Sequence, residues 1–192
     1  MIKVCILGSS LCRDLRKFDH FKTRFIAGHW VQFIYRPFSG KSYEHFLSNP
    51  QEIDWVLRCR PDYVITILGA NSIKTTVSTE TLYDNAWHFY DLLHSKLQAV
   101  NSRAKIIVHQ IPLRFVTNGF KNCPDPDTFK ETRDKLNEKI RKFKTKQHVL
   151  LIAGPSKLDH RDLFKKDGTH FNRAGLNIQL NCIIAKFEHL LK

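Results

Sequence analysis

The chain has 192 residues, 42% hydrophobic and 26% charged, which fits a single globular domain over residues 1–192 and excludes a disordered or fibrous protein. The five cysteines (Cys5, Cys12, Cys59, Cys123, Cys182) are scattered, odd in number and without a CxxC pair, which argues against a disulfide framework or a structural zinc site. A formal net charge of +13 suits anionic partners such as nucleic acid or an anionic lipid surface, and suits a lysine-rich solvated surface equally well.

Lys3–Leu7 (KVCIL) is a continuous apolar run stopped by Gly8, the pattern of a strand buried on both faces. Its few apolar residues are too short for a secretory signal, and nowhere does an apolar run approach the ~20 residues of a membrane span, so an intracellular, cytoplasmic location is expected. Leu15, Phe18, Phe21 and Phe25 then recur at three- and four-residue spacing and predict a helix. Val31–Tyr35, Tyr63–Leu68, Lys105–Ile111 and His148–Ile152 read as four further strands, the third in the chain ending at Gly69 and the fourth at Pro112. Between and after them, Thr81–Leu97, Asp127–Phe143 and Asn172–Leu191 carry helical periodicity, with Asp127 as a candidate cap. Basic residues are densest from Lys135 to Lys146. The alternation predicts an α/β protein with a mostly parallel sheet covered on both faces.

In such sheets ligands bind beyond the carboxyl ends of the strands. Three segments of interest follow strands directly: Gly8-Ser9-Ser10, Ser39-Gly40-Lys41-Ser42 and Gly69-Ala70-Asn71. Ser10, at a strand-to-helix turn, is either a helix cap or a nucleophile needing an adjacent base. Asn71 is either a turn residue or a side-chain donor to a developing oxyanion. Gly40 suits a turn with positive φ, or a backbone N–H brought close to a substrate. Asp167-Gly168-Thr169-His170 precedes the last helix, and an Asp three residues before a His can meet one imidazole nitrogen and leave the other free. Asp159-His160 is the rival carboxylate–imidazole pair, and the remaining histidines form no metal-ligand spacing, so neither metal nor cofactor is expected.

Together the four segments resemble the SGNH (GDSL-like) hydrolase superfamily, from about residue 5 to residue 176. ILGSSL is similar to its first block, SGKS to its second, ILGAN to its third and DGTHFNRAG to its last. The resemblance implies a three-layer α/β/α, flavodoxin-like domain with a five-stranded parallel sheet. It also implies a serine esterase for short acyl, acetyl-type esters. Ser10, His170 and Asp167 would form the catalytic triad, with the Ser10 and Gly40 N–H groups and the Asn71 side chain as the oxyanion hole. Two positions depart from the pattern: Ser9 stands where the family usually has Asp, and Ser72 follows Asn71 where Asp is common. Phe115 and Phe120, in and beside the polar loop Thr117–Asp127, either line an acyl site or pack. The basic, intracellular character also resembles esterase domains encoded by eukaryotic retroelements. The contrasting reading is a catalytically weak or inactive module of the same fold that binds nucleic acid or anionic membranes.

Overall fold

The computed structural model describes residues 1–117, 122–143, 149–152 and 160–192. Its elements run β1 (Ile2–Gly8), α1 (Ser10–Phe18), β2 (Thr23–Ile26), β3 (His29–Pro37), α2 (Tyr43–Ser48), α3 (Gln51–Leu57), β4 (Tyr63–Ile67), α4 (Thr79–Val100), β5 (Lys105–His109), α5 (Pro126–Lys142), β6 (Val149–Ile152) and α6 (Arg173–Leu190). The sheet order is β2-β3-β1-β4-β5-β6. Every pair is parallel except β2–β3. The five parallel strands thus have the flavodoxin-like order, reversing direction of progression at β1.

Alternate strand residues feed two cores. Cys5, Leu7, Val64, Ile106 and Val108 point to one, packed with Tyr43, Phe46, Phe89, Tyr90, Leu93 and Phe129. Val4, Ile6, Ile65, Ile67 and Ile107 point to the other, packed with Leu11, Leu15, Leu180, Ile183 and Phe187. Both faces being dry explains why the strands read as unbroken apolar runs.

One predicted element is corrected. The helix expected through Phe25 stops at Phe18, and Thr23–Ile26 forms a sixth, antiparallel edge strand. A two-residue turn, Ala27 (φ 46°) and Gly28 (φ 84°), joins Ile26 to its partner His29. Two successive left-handed residues match the twist of a tight hairpin. Phe25 therefore meets Trp30 edge-on across the hairpin, at 5.5 Å between ring centroids. Asp19 just past α1 is buried and accepts from Arg24 (2.6 Å) and from the Tyr35 hydroxyl (2.6 Å), tying the hairpin to the helix end.

Two boundaries also shift. The cap of α5 is Asp125 rather than Asp127: its Oδ1 accepts from the Asp127 and Thr128 N–H groups, and Pro126, lacking an N–H, takes the first helical position. β5 stops at His109 because Asn137 of α5 takes over the Ile111 backbone, its Oδ1 accepting from the Ile111 N–H at 3.0 Å. On α5, Lys135 and Lys142 pair with Glu131 and Glu138 one turn earlier, so part of the dense basic stretch is locally neutralised.

His109 ends β5 fully buried. Burial pulls its imidazole down to about 4, against the hydrogen bond between Nδ1 and the Gln110 carbonyl. A folded-state value below the unfolded one means that stability is present above pH ~6.5 and is lost as pH falls towards about 4. At pH 4.5 this residue is expected to cost about 2–3 kcal/mol relative to pH 7. Urea unfolding of wild type and His109→Gln at the two pH values measures it. Equal pH slopes in the two proteins would contradict the assignment.

Candidate active site

The carboxyl ends of β1, β3 and β4 bring the first three segments together. Gly8 closes β1, and a Cβ there would lie 2.6 Å from Cys12 Cβ and 3.1 Å from the Ile67 carbonyl oxygen. The following turn is held by the main chain: the Ser9 N–H donates to the Ile67 carbonyl (3.1 Å), and the Phe38 N–H donates to the Gly8 carbonyl (2.6 Å). The turn thus keeps its shape without the usual acid at position 9, and Ser9 itself is buried. Ser10 is the first residue of α1, half-buried, with its N–H in the first helical turn, where no intrahelical acceptor exists.

Gly40 sits in the loop after β3 with φ +77°, the left-handed turn expected of it. Asn71 lies in the loop after β4, which Gly69 opens with φ +108°. A side chain at Gly69 would strike Ile111 Cδ1 at 2.4 Å and the Tyr43 hydroxyl at 2.8 Å, so only glycine fits. Two hydrogen bonds stitch the Gly40 and Asn71 loops together. Asn71 Nδ2 donates to the Lys41 carbonyl (3.2 Å), and the Tyr43 N–H donates to Ser72 Oγ (2.9 Å). Ser72, the second departure from the family pattern, is fully buried and receives the first N–H of α2.

Asp167 and His170 form the remaining part. Asp167 Oδ2 lies 2.9 Å from His170 Nδ1, and Oδ1 accepts from the Thr169 and His170 N–H groups, each at 2.9 Å. Desolvation opposes ionisation of Asp167. The two N–H donors and the imidazole beside it outweigh that and hold the carboxyl down at about 2. The loop is docked on the segment after β5: the Phe115 N–H donates to the Gly168 carbonyl (2.8 Å), and Thr169 Oγ1 donates to the Val116 carbonyl (3.2 Å). Gly168 adopts φ +64°, and a Cβ there would meet Val116 at 2.6 Å. Asn172 then caps α6, accepting from the Gly175 N–H at 3.1 Å.

Ser10 and Thr169 line one shallow hollow with Leu11, Ala70, Leu113 and Arg114. The hollow brings Ser10 next to the neighbours of both Asn71 and His170. No hydrogen bond joins Ser10 to His170 among the described residues; such contacts commonly tighten only when substrate binds. Phe115 packs edge-on against Phe164 (5.0 Å) in the α6-side core, so it is a packing residue. Phe120 and Asp159 lie outside the described residues.

A family model described as the GDSL-like Lipase/Acylhydrolase family matches residues 15–178. The chain belongs to this family. It is thereby a carboxylic ester hydrolase by class, although the match begins downstream of Ser10. A comparison with curated proteins found no match. Among solved structures, the fold of this GDSL-like hydrolase is similar to that of a carbohydrate esterase family 3 protein from Talaromyces cellulolyticus, with TM-score 0.69, 19% identity and coverage of 100% of this chain and 98% of the other. It is similar also to a GDSL-like lipase from Bacteroides thetaiotaomicron, with TM-score 0.70, 17% identity and coverage of 98% and 88%. A lipase/acylhydrolase from Enterococcus faecalis gives TM-score 0.64, 19% identity and coverage of 100% and 98%.

Sequence reasoning missed one residue of the candidate site in this GDSL-like hydrolase. Arg114, after β5, is buried and donates from Nη2 to Asn71 Oδ1 at 2.6 Å. The signal was the arginine in IPLRF, just beyond the Pro112 that ends the strand pattern.

Proposed function

We propose that the chain is a serine esterase for short-chain, acetyl-type acyl esters, acting as one catalytic unit over residues 1–192. Ser10 Oγ attacks the ester carbonyl while His170 Nε2 takes its proton. The oxyanion is met by the Ser10 and Gly40 N–H groups and by Asn71 Nδ2. His170 returns the proton to the leaving alcohol, leaving an acyl-Ser10. A water, deprotonated by His170, then attacks the acyl carbon and releases the carboxylic acid, restoring Ser10. Asp167 fixes the tautomer with the proton on Nδ1 and stabilises the imidazolium formed in each half.

The observation that carries this reading is the 2.9 Å contact between Asp167 Oδ2 and His170 Nδ1, which engages Nδ1 and supports a role for Nε2 as the base. The small hollow beside Ser10 supports a short acyl group, and the Talaromyces neighbour is a carbohydrate esterase. Hydrolysis of nitrophenyl acetate, butyrate and octanoate tests both parts. kcat/KM should be highest for acetate and fall along the series, with every rate abolished in Ser10→Ala. A preference for octanoate would refute the acyl assignment.

Asn71→Ala removes one of three oxyanion donors and should lower kcat about 10²–10³-fold, with little change in KM. Steady-state kinetics on nitrophenyl acetate measures it, and a wild-type kcat would remove Asn71 from the oxyanion hole. The surplus positive charge supports contact with nucleic acid or anionic lipid beside catalysis. A cytoplasmic location is supported by five free thiols, and kinship with retroelement-encoded esterases by the positive charge balance alone. No helix among the described residues is long and apolar enough to cross a membrane.

A further inference from the structure

The side-chain amide of Asn71 is held at both of its ends. Oδ1 accepts from Arg114 Nη2 at 2.6 Å, and Nδ2 donates one hydrogen to the Lys41 carbonyl at 3.2 Å. An amide has two N–H hydrogens, so one remains to donate elsewhere. Turning the amide over would place Oδ1 against the Lys41 carbonyl oxygen and the NH₂ against a guanidinium, two repulsive contacts in place of two attractive ones. Arg114 is itself fixed: it is buried, its guanidinium lies 5.4 Å over the Phe129 ring, and Nη1 donates to Cys123 Sγ at 3.6 Å. It also lines the hollow beside Ser10.

We propose that Arg114 is a positioning residue for the oxyanion hole, holding Asn71 in the one orientation that leaves an amide N–H for the substrate oxygen. The proposal rests on Asn71 being an oxyanion donor and Ser10 the nucleophile, as argued above. Two effects act together. The amide is immobilised before the reaction, so no ordering cost falls on the transition state. The cation on Oδ1 also draws electron density from the amide and makes the remaining N–H a stronger donor. Both act on the charge that develops during attack, so the effect belongs in kcat rather than KM.

A double-mutant cycle on nitrophenyl acetate hydrolysis tests this, with folding of each variant checked by circular dichroism and thermal melting. Arg114→Met should lower kcat about 10- to 100-fold, part of the ~10²–10³ that a whole donor supplies, with KM within about twofold. Arg114→Lys, which keeps a cationic donor, should recover part of the loss. In an Asn71→Ala background, Arg114→Met should cost less than about twofold, because the group it positions is gone. Losses that simply multiply, or a change confined to KM, overturn the proposal. So does a large Asn71→Ala defect beside an unchanged Arg114→Met enzyme, and in that case the esterase reading stands. Full activity in Asn71→Ala or Ser10→Ala overturns the reading beneath it instead.

Should both Arg114 variants fail to fold, Asn71→Asp decides the question. It keeps an acceptor for Arg114 and has no N–H to give. The expected enzyme melts above Asn71→Ala at pH 7, because pairing of the carboxylate with Arg114 outweighs its repulsion from the Lys41 carbonyl oxygen, and it loses more kcat than Asn71→Ala. An Asn71→Asp protein that melts well below Asn71→Ala, or that turns over as wild type, overturns the proposal.

Discussion

Ser10→Ala should lower kcat on nitrophenyl acetate by about 10⁶-fold if Ser10 is the proposed nucleophile, the scale on which such a loss acts when serine and base work as a unit. The change should leave the fold intact. Ser10 is the first helical residue of α1, the N-cap being Ser9, and the turn around it is held by the Ser9 N–H and the Gly8 carbonyl. Removing a half-buried hydroxyl that has no hydrogen-bond partner among the described residues should change stability by no more than about 0.5 kcal/mol. A protein that melts with wild type but no longer turns over has therefore lost chemistry. Ser9→Ala is the matched control. Ser9 is buried in the same turn and should tolerate the change with activity largely kept. A fluorophosphonate probe should label wild type and Ser9→Ala and leave Ser10→Ala unlabelled. Labelling that survives in Ser10→Ala and vanishes in Ser9→Ala would move the nucleophile by one residue.

His170→Ala is expected to cost as much as Ser10→Ala, and the double variant no more than either. Without the imidazole the hydroxyl keeps its proton, and without the hydroxyl the imidazole has nothing to activate. Asp167→Asn acts more gently, about 10³–10⁴-fold, because an amide can settle the ring in the wrong tautomer and cannot stabilise the imidazolium. Initial rates for the three single variants and the Ser10→Ala/His170→Ala double variant give this ranking directly; multiplying losses would break the unit apart. The folded-state value of Asp167, lowered to about 2 from an ordinary 3.8, sets a sign as well. Its ionised form favours the native loop above about pH 4, and that contribution is lost as pH falls through about 2. Any loss of activity between pH 5 and 7 therefore belongs to another group.

The centre of the parallel sheet was legible because β1, β4 and β5 are buried on both faces. Apolar runs such as Tyr63–Ile67 need no periodicity to be seen, and Gly69 and Pro112 lie shortly beyond the ends of two of them. The candidate site was legible because its residues cluster at those ends, where a topological rule says to look. What escaped were features set by tertiary contact. Phe21 and Phe25 have helical spacing, yet both are exposed, and the turn at Ala27-Gly28 lacks the Asn-Gly or Asp-Gly signature of a hairpin. Asp127 carries the composition of a cap, and only the placement of Pro126 moves the cap to Asp125. The contact of Arg114 escaped because its partner is 43 residues earlier in the chain. Ser9 and Ser72 look like losses beside the family pattern. In the fold, a backbone bond holds the first turn and the Ser72 hydroxyl anchors the second loop.

The edge hairpin has a kinetic meaning. β2 and β3 pair across two residues, whereas each parallel pair must close a crossover that carries at least one helix. Loop closure therefore costs least at Ala27-Gly28, and hairpins form in about 1–10 μs. The first strand edge offered to β1 as the chain collapses is then β3 already seated on β2. A short segment at the edge of the sheet is thus expected to form before the parallel pairs that carry the candidate site.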